Sequence, residues 1–163
     1  MAWTTLGTVA PGDVLRANSG TAAYNNVIGN LNEAPRGVVF RNTITANQST
    51  ISTVIDLTNF TATWTASSGR LYRTSVYVPE VRQNTVTGTS VFRLTDASNN
   101  DKQFADMQQV SGAFYTITLQ LIETGLSGSI TRKMRASTTA GTLDLLMAST
   151  SPGFILVEDL GSA

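Results

Sequence analysis

The stretch AFYTITLQLIE, residues 113–123, decides the fold class. Tyr115, Ile117, Leu119 and Leu121 stand on one face, and Thr116, Thr118 and Gln120 on the other, in the cleanest alternation of the chain. A period of two belongs to a β-strand with one face in a core and the other toward water.

The same rhythm repeats on both sides of it. Upstream, GVVFRNTI and STISTVIDL are separated by the polar turn TANQ, and FTATWT sets Phe60, Ala62 and Trp64 against Thr61, Thr63 and Thr65. After the turn ASSG, the run RLYRTSVYV opposes Tyr72, Thr74, Val76 and Val78 to Leu71, Arg73, Ser75 and Tyr77. Pro79 predicts that this strand ends there or lies beside a sheet edge. TSVFRLTD places Phe92 and Leu94 inward and Arg93 outward, and DASNND closes it as a turn. Downstream, ITRKMRAST, TLDLLMAS and FILVEDL follow the turn TGLSGS. Strands this short and closely spaced, with no helical crossovers between them, predict an all-β, antiparallel β-sandwich (jelly roll) of eight to nine strands.

Composition narrows the function. The chain has 163 residues, of which 41% are hydrophobic, enough to bury a core. Eleven basic residues balance 11 acidic ones, and charged residues make up only 13%. That balance leaves no electrostatic footprint for nucleic acid or for an anionic membrane. The one cationic run, Arg132, Lys133 and Arg135, reads as a solvated strand face. Cys and His are both absent, which removes disulfides, thiolate metal sites and every His-dependent nucleophile. With neither a charged apolar leader nor an apolar run long enough to span a bilayer, the chain reads as soluble and unprocessed. Thr, Ser, Asn and Gln supply the polar surface instead of charge, which suits a protein packing against copies of itself.

The front of the chain differs from the rest. Trp3, Leu6 and Val9 recur every three residues before Pro11-Gly12 breaks the chain, and Val14 and Leu15 follow the break. Asn18 or Ser19 is an N-cap for a short amphipathic helix whose apolar face is Tyr24, Val27, Ile28 and Leu31 and which Pro35 ends. Gly20 and Gly29 weaken this helix by ~1 kcal/mol each, so it needs a surface to lie on. The division is therefore a docking arm, residues 1–35, and a β-sandwich domain, residues 36–163.

No constellation carries catalysis. Asp96, Asn99, Asn100 and Asp101 offer oxygen ligands, but their spacing fits no calcium loop and reads as a hairpin turn. Glu158 and Asp159 are neighbours on one strand and point to opposite faces, which suits a structural contact and not a carboxylate pair. A glycoside hydrolase built on two distant carboxylates is the least favoured reading. Without a secretory signal, NQS at Asn47 and NFT at Asn59 are accidental matches to a glycosylation pattern. Phosphate-binding glycine loops are missing, so no cofactor and no metal is expected. Trp64, Tyr72, Tyr77 and Tyr115 lie in strands and read as core, with sugar stacking as the alternative.

Both ends carry a family resemblance. The pattern W…GTVAPGDVLRANSGTAAYNNVIGNL, from Trp3 through the Gly12–Leu15 turn to Asn25, Asn26 and Leu31, resembles the N-terminal segment of minor virion proteins of tailed phages. PGFILVEDLGSA, through Val157, Glu158, Asp159, Leu160 and Gly161, resembles the closing strand of minor tail and related virion proteins of phages of actinobacteria. GRLYRTSVYV followed by TSVFRLTD is similar in rhythm to trimeric jelly rolls of the tumour-necrosis-factor-like class. The resemblance implies a virion structural protein, made in the host cytoplasm, that displays a homotrimeric sandwich on the tail or the capsid. Its partners would be its own copies and other phage structural proteins, docked through Trp3, Leu6, Val9, Val14, Leu15, Tyr24, Val27, Ile28 and Leu31. A module that binds a host-surface receptor or glycan is the alternative. Three linked copies would make a weak arm sufficient, because the second and third docking events become intramolecular.

Overall fold

The computed structural model describes residues 34–84 and 86–163. The strands run β1 (Gly37–Ile44), β2 (Gln48–Ile51), β3 (Ile55–Ala66), β4 (Arg70–Gln83), β5 (Gly88–Thr95), β6 (Asp101–Gln109), β7 (Phe114–Glu123), β8 (Gly128–Thr138), β9 (Leu143–Leu146) and β10 (Gly153–Ser162). The expected arm and helix lie outside the described residues.

All strand pairings among the described residues are antiparallel. The longer strands build two layers, β1-β10-β4-β7 and β3-β8-β5-β6, which is the strand order of a jelly roll. The four-residue strands β2 and β9 extend the first layer along the far part of β4. The chain is therefore an all-β antiparallel sandwich. The alternation holds for the long strands, but STISTVIDL is divided between β2 and β3, β3 runs on through FTATWT, and ten strands stand among the described residues where eight to nine are expected. Phe60, Ala62 and Trp64 are buried, Phe92 and Leu94 are fully buried on either side of the outward Arg93, and Ile117 and Leu119 face inward from β7.

Between the layers, Leu57, Phe60, Phe92, Leu94, Met134, Leu143, Leu145 and Ile155 fill the core. A polar knot closes one end of it. Gln83, Ser90 and Gln109 are wholly buried; the Ser90 hydroxyl lies 2.9 Å from Gln109 Oε1 and 3.2 Å from Gln83 Oε1. Gln83 Nε2 donates to the Thr138 hydroxyl at 3.0 Å and to the Ala140 carbonyl. Buried polar groups satisfied in this way tie β4, β5, β6 and β8 together instead of weakening them.

Pro79 corrects an expectation. β4 neither ends there nor lies at an edge: it continues to Gln83, pairing with β10 up to Tyr77 and with β9 from Glu80. Pro79 sits in the changeover, beside the β4-β7 irregularity between Val78 and Val81, where no ladder needs its missing N–H. Arg132 is a second correction. It faces inward, 5% exposed, and its guanidinium grips Glu123 at 2.6 and 2.8 Å, so it bridges β8 to β7 and is not part of a solvated face.

Candidate assembly surface

Strand alternation gives each layer an outer face, and the two faces differ in chemistry. On the β3-β8-β5-β6 layer the outward residues include Thr61, Thr63 and Thr65, Ser129, Thr131, Lys133 and Arg135, and Lys102, Asp106 and Gln108. The Thr63 and Thr131 hydroxyls meet at 3.0 Å, and Asp56 holds Lys133 at 2.6 Å and Arg135 at 2.7 Å. The hydrogen bond from Lys133, more than burial opposes it, keeps the Asp56 carboxyl below its ordinary range. Apart from Phe104 of β6, which is 61% exposed, this is a face built for water.

The outer face of the β1-β10-β4-β7 layer carries large apolar residues on β4, β10 and both ends of β7, while β1 presents Arg41 and Thr43 there. Leu71 and Tyr77 of β4, Phe154 and Leu156 of β10, and Phe114 and Ile122 of β7 all point away from the core. Register brings them together: Phe154 lies opposite Tyr77, and Tyr77 opposite Thr118. The Tyr77 and Phe154 rings stack with centroids 5.4 Å apart and planes 25° apart. Phe114 and Ile122 are each 58% exposed, on a strand that is the free edge of the layer. The polar residues among them, Ser75, Thr116, Thr118 and Gln120, are uncharged.

Two pairs of charges on this face are spent on one another, while Arg41 of β1 and Glu80 of β4 stand exposed. Arg73 meets Glu158 at 2.8 Å. Arg82 meets Asp144 at 3.1 Å and lies 5.8 Å over the Phe114 ring. Burial pushes the Asp144 carboxyl up, but the Asn84 amide, the Thr50 backbone N–H and Arg82 together hold it below its ordinary value. A patch of this kind, largely apolar and with its central charges Arg73, Glu158, Arg82 and Asp144 already paired, is cheap to desolvate against a partner.

The residues singled out in the sequence fall as follows. Trp3, Leu6, Val9, Val14, Leu15, Tyr24, Val27, Ile28 and Leu31 all lie outside the described residues. Asp96 serves its own turn, its carboxylate accepting from the Ser98 N–H at 2.9 Å, the Asn100 N–H at 3.0 Å and the Asn100 amide at 3.0 Å. Those Asn100 bonds hold its pKa far below the usual carboxylate range. No group of three or more His, Cys, Asp or Glu able to hold a metal occurs among the described residues. Glu158 and Asp159 do point to opposite faces, Glu158 outward to Arg73 and Asp159 into a buried fork with Arg70. Trp64 and Tyr72 are core, whereas Tyr77 faces outward.

The closing Val157–Gly161 motif has a job in the fold. Asp159 is the buried partner of Arg70, and its Oδ1 also accepts the Gly161 N–H at 2.9 Å. Gly161 takes φ 112°, a value that L side chains rarely adopt, at the irregularity between Asp159 and Gly161 in the β10-β4 ladder.

The outer apolar face escaped the sequence reading, although it had a signal. SVYV in β4, QLI in β7 and FILV in β10 are continuous apolar or uncharged runs where a half-solvated strand would alternate. Continuity of this kind marks strands covered on both faces.

No protein-family model matches the chain. No curated protein matches it by sequence. Among solved structures it is similar to the Eiger TNF of S. frugiperda, at 11% identity and TM-score 0.46 over 78% of this chain and 96% of that one. A carbohydrate-binding module of Cellvibrio mixtus lichenase 5A matches at 14% identity and TM-score 0.38, over 77% of this chain and 89% of that one. The enzymatically active domain of tailspike protein 4 of bacteriophage CBA120 matches at 12% identity and TM-score 0.30, over 72% of this chain and 19% of that one. At such values the comparisons assign no function, and the sandwich rests on its own strands and pairings.

Proposed function

We propose that this chain is a phage virion structural protein, a minor tail or capsid-decorating component, whose sandwich associates with its own copies as a homotrimer. Residues 1–35 are its docking arm on the particle, and it performs no catalysis. The observation that carries the reading is the contrast between the two outer faces. A monomer in water favours polar outer faces, and here the β3-β8-β5-β6 face is the more polar of the two, with Phe104 as its exposed apolar residue. The apolar face centred on Tyr77, Phe154 and Leu156 is what a second copy would cover.

Three further features support it: a formal net charge of zero, the sparse charges, and the resemblance of both chain ends to virion proteins. Three as the copy number comes from the resemblance to the tumour-necrosis-factor-like class. The test is to purify the particles of the phage that encodes the chain and probe them with an antibody to residues 34–163. Detection on intact particles, and its loss when the protein lacks residues 1–33, is the expected result. Particles without the protein would overturn it.

A further inference from the structure

On the opposite, solvated face, four residues form one row across every strand of the layer. Asp56 of β3 lies in register with Arg135 of β8, Arg135 with Arg93 of β5, and Arg93 with Phe104 of β6. Two guanidinium groups directly opposite each other repel, a pairing that sheets avoid unless something lies between them. Each arginine has a carboxylate only on its far side: Asp56 meets Arg135 at 2.7 Å, and Asp101 meets Arg93. The Arg93 Nε is buried with no acceptor. The Arg135 Nε, although 2.7 Å from Asp56 Oδ1, is likewise buried without a hydrogen bond among the described residues.

A shallow groove runs here, lined by Val54, Arg93, Asn99, Asn100, Asp101 and Arg135. One wall is rigid, because Asp96 locks the Asp96–Asp101 turn by accepting the Ser98 and Asn100 N–H groups. At the far side Phe104 stands 61% exposed next to Arg93.

We propose that this groove binds a saccharide carrying a single carboxylate, of the hexuronate class. The carboxylate would lie between Arg93 and Arg135 and accept from both, turning the like-charged pair into a two-sided clamp. The sugar hydroxyls would meet Asp101 and the exposed Asn99 and Asn100 amides, and the C–H face of a ring would cover Phe104. Asp56 and Asp101, one on each side, admit one negative group and repel a polyanion. This site stands on the outer face away from the apolar one, so it does not depend on self-association.

The experiment is a calorimetric titration of the full chain with methyl galacturonide, which carries one carboxylate, its neutral methyl ester and acetate. Saturable binding of methyl galacturonide is expected, weakened at least about tenfold, ~1.4 kcal/mol, by esterification and by either Arg93→Gln or Arg135→Gln. Phe104→Ala should weaken methyl galacturonide while leaving acetate unchanged. Thermal unfolding of each variant separates lost binding from lost fold, and the ester comparison needs no variant. Absence of saturation up to about 10 mM would overturn the proposal. So would equal binding of the ester, or acetate binding as tightly as the sugar.

Discussion

The Arg70 guanidinium and the Asp159 carboxylate form a two-pronged bond in the interior, Nε to Oδ2 at 2.5 Å and Nη2 to Oδ1 at 2.7 Å, with 4% and 1% of the side chains exposed. Arg70 opens β4 and Asp159 lies near the end of β10, and the same Nη2 also donates to the Ala34 carbonyl at 2.6 Å. One ion pair therefore ties the first described residues, the central strand and the last strand together. Removing one partner strands a buried charge. Asp159→Leu or Arg70→Met alone should cost about 3 to 5 kcal/mol in urea unfolding, and the double variant much less than the sum.

Acid sensitivity follows from the carboxylates. Burial raises Asp159, but the Arg70 hydrogen bonds, the Gly161 N–H and the charges of Arg70 and Arg36 outweigh it and hold its pKa below the ordinary value. Asp144 is lowered as well. A carboxyl whose folded pKa is depressed adds stability that is complete above its unfolded pKa of about 4 and is lost as pH falls through the folded pKa. With no histidine in the chain, the unfolding midpoint should stay flat between about pH 5 and 8 and fall below about pH 4. Asp159→Asn should flatten the acid limb; an unchanged limb would contradict the assignment.

Gly153 is a packing constraint at the start of β10. A Cβ there would stand 2.8 Å from the Met147 sulfur, 3.0 Å from the Tyr77 carbonyl oxygen and 3.1 Å from the Phe60 ring. The thioether can swing aside, but the backbone carbonyl of the central strand cannot. Gly153→Ala should cost about 1 to 3 kcal/mol in thermal unfolding, while Ser151→Ala, two residues earlier and exposed, should cost under about 0.5.

The arm makes a separable prediction. The core described above is assembled from residues after Gly37, and Ala34 contributes its carbonyl to Arg70. A chain beginning at Ala34 should unfold in one cooperative transition at the temperature of the full chain and fail to join the particle. Aggregation of the truncated chain would show that the arm belongs to the core.

Much of the fold was legible because most strands pay attention to one core. β7, β5 and β3 alternate with their large residues inward, so period two finds them. β6 hides because its pattern is inverted: Gln103, Ala105, Met107 and Gln109 face inward, while its largest apolar residue, Phe104, faces out. Pro79 misled because a proline rule written for one continuous ladder met a strand that changes partners at that residue. The assembly face was read past for the opposite reason. In FILV and SVYV both faces are apolar, and hydrophobicity alone cannot say which side is the core and which a contact.

The central claim is that the face around Tyr77 and Phe154 is covered by another copy of the chain. Sedimentation equilibrium of the full chain at about 10 μM tests it most directly, with the Tyr77→Ser/Phe154→Ser variant beside it. The account predicts a wild-type mass near three times 17.3 kDa, and a folded variant near 17.3 kDa. A wild-type chain that sediments as a monomer, or a variant that assembles as before, would contradict it.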